Sequence, residues 1–181
     1  MRKTTAGLFI SLDGVTESPD KWQFDSFDED MAAELTAFEQ ETDTILLGRV
    51  TYEEWAPYWP NSTDEPFASF INDTPKHVVS TTLQKPLEWR NSTLVEGDVA
   101  EEIGKLKSQP GKNIAACGSP SLVRFLLQND LLDELTLMIH PVVAGGGKRL
   151  FEDGGSVKRL ELADSKTTRT GVSILKYRPK K

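Results

Sequence analysis

Two glycine-containing junctions are the residues of this chain best suited to binding phosphate. At the first, an apolar run ends in Gly48 and Arg49, and a helix-compatible segment containing Thr51 follows at once. At the second, an apolar run ends in Gly118, and Ser119 with the next proline starts a helix. Free backbone N–H groups at a helix start suit phosphate, and so does a guanidinium. Two such junctions predict a dinucleotide ligand.

Each junction taken alone has a simpler interpretation that stays open. Gly48 is also compatible with a glycine that only ends a strand, and Arg49 with a charge in solvent. Ser119 alone is more typical of a plain helix N-cap than of a phosphate site. The prediction therefore depends on the two junctions occurring together.

Further polar residues follow other predicted strands. Ser80 and Thr81 end a third strand, where their hydroxyls could reach a ribose phosphate. Asp13 ends the first strand, at the edge where open α/β sheets place their sites, although Asp-Gly is also an ordinary turn. Gly146 and Lys148 belong to three glycines followed by two cations, which suits either an anionic substrate or a flexible turn.

The remaining side chains that could take part in binding or catalysis exclude more activities than they indicate. The aromatic residues around Trp22 could stack on a planar heterocycle, although most are expected in the core. His77 and His140 lie far apart within strand patterns, so no metal site is expected. The chain has no P-loop, no zinc-protease helix motif and no serine-hydrolase elbow, which disfavours those activities.

The elements that must position these residues alternate between strand and helix through the first two thirds of the chain. Apolar periodicity predicts strands at 5–12, 44–47, 77–81, 93–95, 113–116, 134–143, 158–162 and 172–177. Helices are predicted at 28–40, after residue 51, at 65–72, at 99–107 and from 119. We expect one domain over residues 1–181. Its predicted architecture is a three-layer α/β/α arrangement with a mostly parallel sheet that ends in antiparallel C-terminal strands.

Charge and composition limit the classes of partner. The net charge of −7 and the scattered basic residues disfavour nucleic acid. Cys117 is the only cysteine and is expected to be a buried thiol. No segment resembles a signal peptide or a membrane span, so we expect a cytoplasmic protein that does not bind membranes.

With those segments in place, the chain resembles the dihydrofolate reductase-like superfamily. The resemblance is stronger to the branch that contains the reductase domain of the riboflavin-biosynthesis deaminase-reductase. It covers nearly the whole chain through five motifs in order, namely Ser11-Leu-Asp-Gly14, Leu46-Leu-Gly-Arg-Val-Thr-Tyr-Glu53, Val78-Val-Ser-Thr81, Cys117-Gly-Ser119 and Pro141-Val-Val-Ala-Gly-Gly-Gly-Lys-Arg-Leu-Phe151.

This resemblance implies an NADPH cofactor whose phosphates lie over the two junctions. By motif position, the first phosphate turn comprises Gly48, Arg49 and Thr51, the adenosine ribose lies near Ser80 and Thr81, and the pyrophosphate turn comprises Gly118 and Ser119. The nicotinamide then lies near Leu12 and Asp13. Members of this branch are often homodimers, so a homodimer is expected.

The resemblance also bears on the substrate. Classical dihydrofolate reductases hold the pterin with an acidic residue of the first helix, and both Asp30 and Glu34 lie near that place. Only Trp22 matches their Pro-Trp loop. The Ser-Leu-Asp-Gly and triple-glycine motifs point instead to a ribosylaminopyrimidine, with Trp22, Gly146 and Lys148 in contact with it.

The sequence therefore predicts an NADPH-dependent reductase that transfers a hydride to a small heterocycle. The substrate would be a pterin or a ribosylaminopyrimidine such as 5-amino-6-(5-phosphoribosylamino)uracil. Asp13 is the first candidate to orient the substrate or relay a proton, followed by Glu53 and Asp30. The alternatives are a non-catalytic NADPH-binding or sensor protein of the same fold and a flavin-using oxidoreductase.

Overall fold

The centre of the molecule is one eight-stranded sheet. The computed structural model describes residues 1–153 and 155–180. The strands are β1 (Thr4–Ser11), β2 (Thr42–Gly48), β3 (Lys76–Val79), β4 (Ser92–Val95), β5 (Asn113–Cys117), β6 (Glu134–His140), β7 (Leu160–Thr167) and β8 (Ser173–Pro179). Their spatial order is β4-β3-β2-β5-β1-β6-β8-β7. The first six strands of that order pair in parallel, whereas β8 is antiparallel to both β6 and β7.

Within the described residues, five α-helices and three short 3₁₀ helices complete the fold. The α-helices are α1 (Glu29–Glu41), α2 (Arg49–Trp55), α3 (Phe67–Asp73), α4 (Val99–Ser108) and α5 (Pro120–Gln128). The 3₁₀ helices are Pro19–Lys21, Phe24–Ser26 and Trp59–Asn61. Side chains start two of the α-helices. Asp28 accepts the N–H groups of Asp30 and Met31, and Asp98 accepts the N–H of Glu101. None of the helices in the described ranges has the length and apolar character needed to cross a membrane.

Alternating strand residues direct apolar side chains to the two faces of the sheet. On one face, Leu8 of β1 and Leu46 of β2 pack with buried residues of α4 and α5. On the other face, Ile45 packs among residues of α2 and α3, and Met31 of α1 packs on Met138 of β6. Helices therefore cover both faces. The predicted three-layer fold is confirmed.

The predicted ends of β3, β6 and β7 are wrong by a few residues. β3 stops at Val79 because the Ser80 hydroxyl accepts the N–H groups of Thr82 and Leu83, which turns the chain. β6 stops at His140, before Pro141, a residue without an N–H. β7 runs over Leu160–Thr167 instead of 158–162, and its exposed side chains carry no apolar alternation.

Candidate functional site

The two glycine-containing junctions lie side by side because β2 and β5 are parallel neighbours in the sheet. Ser119 Oγ accepts the Gly48 N–H at 2.8 Å and lies 2.8 Å from Thr51 Oγ1. The Ser119 N–H also donates to Thr51 Oγ1, at 3.0 Å. We call Gly48, Thr51 and Ser119 the junction triad. The N–H groups of Gly48 and Ser119 are thus bonded within the protein, which leaves only the other first-turn N–H groups of α2 and α5 available to an anion.

The glycines of the junctions are required by the close approach of the two segments. Gly118 has φ +56°, and a Cβ there would lie 3.1 Å from Thr51 Cγ2. A Cβ at Gly48 would lie 3.2 Å from Ser119 Oγ. Both distances are tighter than ordinary van der Waals contact. The glycine pattern therefore reflects the packing of one junction against the other.

Arg49 lies at the start of α2 with 45% of its side chain exposed. Its Nη1 donates to Glu53 Oε2 at 2.6 Å, one helical turn later. An exposed pair of this kind is worth less than about 1 kcal/mol, so an incoming phosphate can compete with the carboxylate. Glu53, predicted as a catalytic candidate, is the ion-pair partner of Arg49 in this structure.

A cleft lies beyond the ends of β3 and β4 and has a volume of about 430 Å³. Apolar side chains of Leu83, Leu94 and Val95 form part of its lining, and Ser80 and Thr81 contribute polar groups. The Ser80 hydroxyl is already engaged by the turn that follows β3. An apolar wall with hydroxyls at one side suits a planar base attached to a sugar.

Asp13 fastens the turn after β1 to the triple-glycine loop. Its Oδ1 accepts the Ser11 hydroxyl at 2.6 Å and the Ala144 N–H at 2.9 Å, and its Oδ2 accepts the Gly145 N–H at 3.0 Å. These bonds lower the pKa of Asp13 from 3.8 to about 2, with the Ser11 hydroxyl as the largest cause and the Ala144 N–H as the next. Asp13 is therefore a fixed carboxylate that suits orientation better than proton donation at neutral pH.

The triple-glycine loop is held at both ends and open at its crest. A Cβ at Gly147 would lie 2.8 Å from Val15 Cγ1, whereas one at Gly146 would meet nothing within 4 Å. The Lys148 N–H donates to Glu17 Oε2 at 3.1 Å, and the Lys148 side chain is 70% exposed. Gly146 and Lys148 thus lie together beside Asp13.

Leu12 is at the same edge of the sheet. Its N–H donates to the Val142 carbonyl at 2.8 Å, and its side chain is 64% exposed, as is the neighbouring Val143 at 67%. Two exposed apolar side chains beside a fixed carboxylate provide a surface for a flat ring.

The carboxylates of α1 are engaged by basic residues of the C-terminal hairpin. Asp30 Oδ2 accepts the backbone N–H and the Nε of Arg169, and these bonds lower the pKa of Asp30. Glu34 lies between Lys166 and Lys176, at 2.9 and 2.7 Å, with a side chain only 14% exposed. Glu34 therefore ties α1 to β7 and β8, and Asp30 ties it to the turn between them. Asp30 bonds to neither Asp13 nor the junction triad.

One buried group at this edge was not a candidate in the sequence. His140 ends β6 opposite Ser11 of β1, and its Nδ1 lies 2.7 Å from Ser26 Oγ. The Trp22 ring packs edgewise on the imidazole with centroids 5.5 Å apart. The sequence signal that could have identified His140 as a site residue is its position at the end of an apolar run, directly before Pro141.

Taken together, the ends of β3, β2, β5, β1 and β6 form a row across one edge of the sheet. The row carries Ser80 and Thr81, then the junction triad, then Leu12 and Asp13, and finally His140. Four strand spacings make it roughly 19 Å long. The geometry suits an elongated ligand with an anionic centre and a flat ring at the β1 end.

The chain also matches a known family model. Residues 2–174 match the model described as the RibD C-terminal domain. Among curated proteins, an uncharacterized protein of Bacillus subtilis, YyaP, is 32% identical over an alignment of 181 positions that covers 97% of this chain and 94% of that protein. A second uncharacterized B. subtilis protein, YwjB, is 28% identical over 176 residues, covering 96% of both.

Solved structures share the fold at lower identity. A putative riboflavin biosynthesis protein from Shewanella sp. PV-4 superposes with a TM-score of 0.81 at 21% identity, covering 99% of both chains. A pyrimidine reductase-like protein from Corynebacterium diphtheriae gives a TM-score of 0.72 at 15% identity, covering 99% of this chain and 92% of that one. A deaminase/5-amino-6-(5-phosphoribosylamino)uracil reductase from Thermotoga maritima gives 0.68 at 13% identity, and the match covers 99% of this chain and 57% of the larger protein.

Proposed function

Since this chain belongs to the RibD C-terminal domain family, we propose that it is an NADPH-dependent reductase of a small heterocycle. The observation that carries this proposal is the row of strand ends, which places an exposed arginine and two helix starts beside a fixed carboxylate and two exposed apolar side chains. A ribosylaminopyrimidine such as 5-amino-6-(5-phosphoribosylamino)uracil is the proposed substrate class, with a pterin as the alternative.

The residues present fit a dinucleotide in one orientation. The adenosine would occupy the cleft beyond β3 and β4, near Ser80 and Thr81. Arg49 and the first turns of α2 and α5 would face the phosphates, because the close packing at Gly48 and Gly118 sets those two turns side by side. The nicotinamide would lie against Leu12. When bound, this cofactor supplies the hydride.

The protein's own contribution would be to position the substrate. Asp13 holds the triple-glycine loop through two backbone N–H groups, and the loop presents Gly146 and Lys148 at its open side. The ammonium of Lys148 would attract a substrate phosphate. Trp22 would pack on the heterocycle. Orientation of the reacting groups is a large source of rate enhancement, about 7–11 kcal/mol in favourable model reactions.

One observation favours the second candidate function, an NADPH-binding protein without turnover. Each proposed catalytic carboxylate is already engaged: Asp13 by the glycine loop, Asp30 by Arg169 and Glu53 by Arg49. A reductase would then need a proton from water or from another group.

Calorimetric titration with NADPH and NADH, followed by an NADPH-oxidation assay with 5-amino-6-(5-phosphoribosylamino)uracil and with dihydropterin, tests both candidates. Binding with oxidation supports the reductase, and binding without oxidation of any heterocycle supports the sensor. Absence of NADPH binding refutes both. In the same titrations Arg49→Ala should weaken NADPH by about fivefold and NADH less, because an exposed charge contact is worth up to about 1 kcal/mol. Glu53→Gln is the matched control, since it frees Arg49 and should not weaken NADPH.

A further inference from the structure

His140 is the most deeply buried titratable group at the edge of the sheet that carries the site. Its relative exposure is 0%, and it directly opposes Ser11 in the β1–β6 pairing. Nδ1 is bonded to Ser26, but the buried Nε2 has no hydrogen-bond partner within residues 1–153 and 155–180. A buried polar atom left without a partner costs free energy, so its retention calls for a reason.

The hydrogen bond to Ser26 is compatible with two arrangements of the proton on the neutral ring. Ser26 Oγ lies 2.7 Å from Nδ1 and 3.4 Å from its other acceptor, the Gln23 carbonyl. With the hydroxyl donating to Nδ1, the proton of the neutral ring is on Nε2. With Nδ1–H donating to Oγ, the hydroxyl is left with the long contact to the Gln23 carbonyl, which is a weak bond. Burial lowers the pKa of His140, so the ring stays neutral at pH 7.

Two aromatic rings flank the imidazole, and they differ in how firmly they are held. Phe9, with its centroid 5.6 Å away, belongs to the central strand β1. Trp22 is only partly buried and follows the short 3₁₀ helix Pro19–Lys21, which contains no buried residue. The same segment contributes a second buried atom without a partner, Gln23 Oε1. Movement of this segment would uncover the side of the imidazole that Trp22 packs on, without disturbing the sheet.

We infer that His140 carries its proton on Nε2 and recognises the substrate: this N–H donates to a carbonyl oxygen of the heterocycle, and Trp22 moves off the imidazole to pack on the heterocycle when it binds. A neutral N–H donor suits an uncharged acceptor such as the ring carbonyl of a pyrimidinedione or pterin. This inference rests on the proposed function, because it places the heterocycle next to Asp13 and the triple-glycine loop.

Kinetics of His140→Phe and His140→Gln provide the first test. The phenylalanine variant keeps a ring of similar size without nitrogen, and the KM for 5-amino-6-(5-phosphoribosylamino)uracil should rise about tenfold while the NADPH dissociation constant stays within twofold. His140→Gln restores an N–H and should recover part of the loss. His77→Phe is the matched control, since His77 is a half-buried strand histidine in β3, and it should leave the KM unchanged.

Imidazole NMR of protein labelled with ¹⁵N in histidine provides a test that needs no turnover. The His140 spectrum should show a proton on Nε2, and uracil titrated into the wild-type protein should shift that signal and change Trp22 fluorescence, which Trp22→Phe should abolish. A bare Nε2 overturns the inference. Unchanged kinetics of His140→Phe in an active enzyme also overturn it and leave the reductase proposal standing. If the wild-type protein is inactive but its His140 signal responds to uracil, the reductase proposal is refuted and the inference about His140 stands. If the protein is inactive and the signal does not respond, both are refuted.

Discussion

Thr51→Val tests whether the junction triad holds the two phosphate-facing helix starts together. Valine keeps the shape of threonine but removes Oγ1, the acceptor of the Ser119 N–H at 3.0 Å and of the Ser119 hydroxyl at 2.8 Å. Both groups are buried, and a buried donor left without a partner costs about 1–3 kcal/mol. We expect the free energy of unfolding to fall by about 2 kcal/mol. For a chain of this length the melting temperature would fall by roughly 4–8 °C.

A double-mutant cycle with Ser119→Ala separates the shared bonds from other effects. Ser119→Ala also removes the acceptor of the Gly48 N–H, so its cost should be similar to that of Thr51→Val. The double variant should be less destabilised than the sum of the two, by about 1 kcal/mol, because both changes remove the same hydroxyl–hydroxyl bond.

Urea unfolding followed by tryptophan fluorescence measures these free energies, and Thr36→Val is the matched control. Thr36 is an exposed residue of α1 whose hydroxyl bonds only to the Ala32 carbonyl of its own helix, so its substitution should change stability by less than about 0.5 kcal/mol. Additive effects at 51 and 119, or a Thr51→Val variant as stable as the control, would refute the account of the triad. NADPH affinity measured on the same variants would report whether the triad also matters for binding.

Three further predictions concern other positions. Gly118→Ala should destabilise the protein by more than about 1 kcal/mol, because φ is +56° and Thr51 Cγ2 lies 3.1 Å from the new Cβ. Its control is Gly104→Ala in α4, whose new Cβ meets nothing within 4 Å and which should stabilise the protein by up to about 1 kcal/mol. Thermal denaturation of both variants compares them. Lys76→Met should be destabilising at pH 7, since the buried Nζ donates to three carbonyls around the end of α3. Burial lowers the Lys76 pKa from 10.5 to about 8, so between these pH values the folded state binds fewer protons than the unfolded state. Denaturant titrations should therefore show the wild type gaining stability relative to Lys76→Met as pH rises from about 8 to 10.5. Asp13 has the same sign in a lower pH window: its pKa is lowered from 3.8 to about 2, so its contribution is complete above pH 3.8 and is lost as pH falls towards 2. Asp13→Asn should therefore flatten the measured acid side of the stability curve.

The order of elements was predictable because it depends on local apolar periodicity. The buried alternation of β1 and β2 and the proline that opens α5 are visible over a few residues. β7 was misplaced because its side chains are exposed on both sides, and exposure leaves no period to detect. Pairing with β8 holds this strand through backbone hydrogen bonds that any side chains permit.

The candidate site was predictable only as far as motifs indicate local geometry. The glycine junctions and Asp13 were identified because they follow strands directly. The bonds that define their environment join residues far apart in the chain: Thr51 and Ser119 are 68 positions apart, and Ser26 and His140 are 114 apart. No local pattern encodes such contacts, so the engagement of Asp13 by the glycine loop and the burial of His140 required the structure.

The junction triad has a consequence for how relatives of this chain can diverge. The methyl of Thr51 fills the space that a side chain at 118 would need, and its hydroxyl serves the residue at 119. A change at any one of these positions alters the constraint on the other two, so we expect them to covary across an alignment of relatives. Loss of the hydroxyl at 51 should occur together with loss of the hydroxyl at 119, and a larger residue at 118 should occur only beside a smaller one at 51. Ancestral reconstruction would then find these substitutions on the same branches of the family tree.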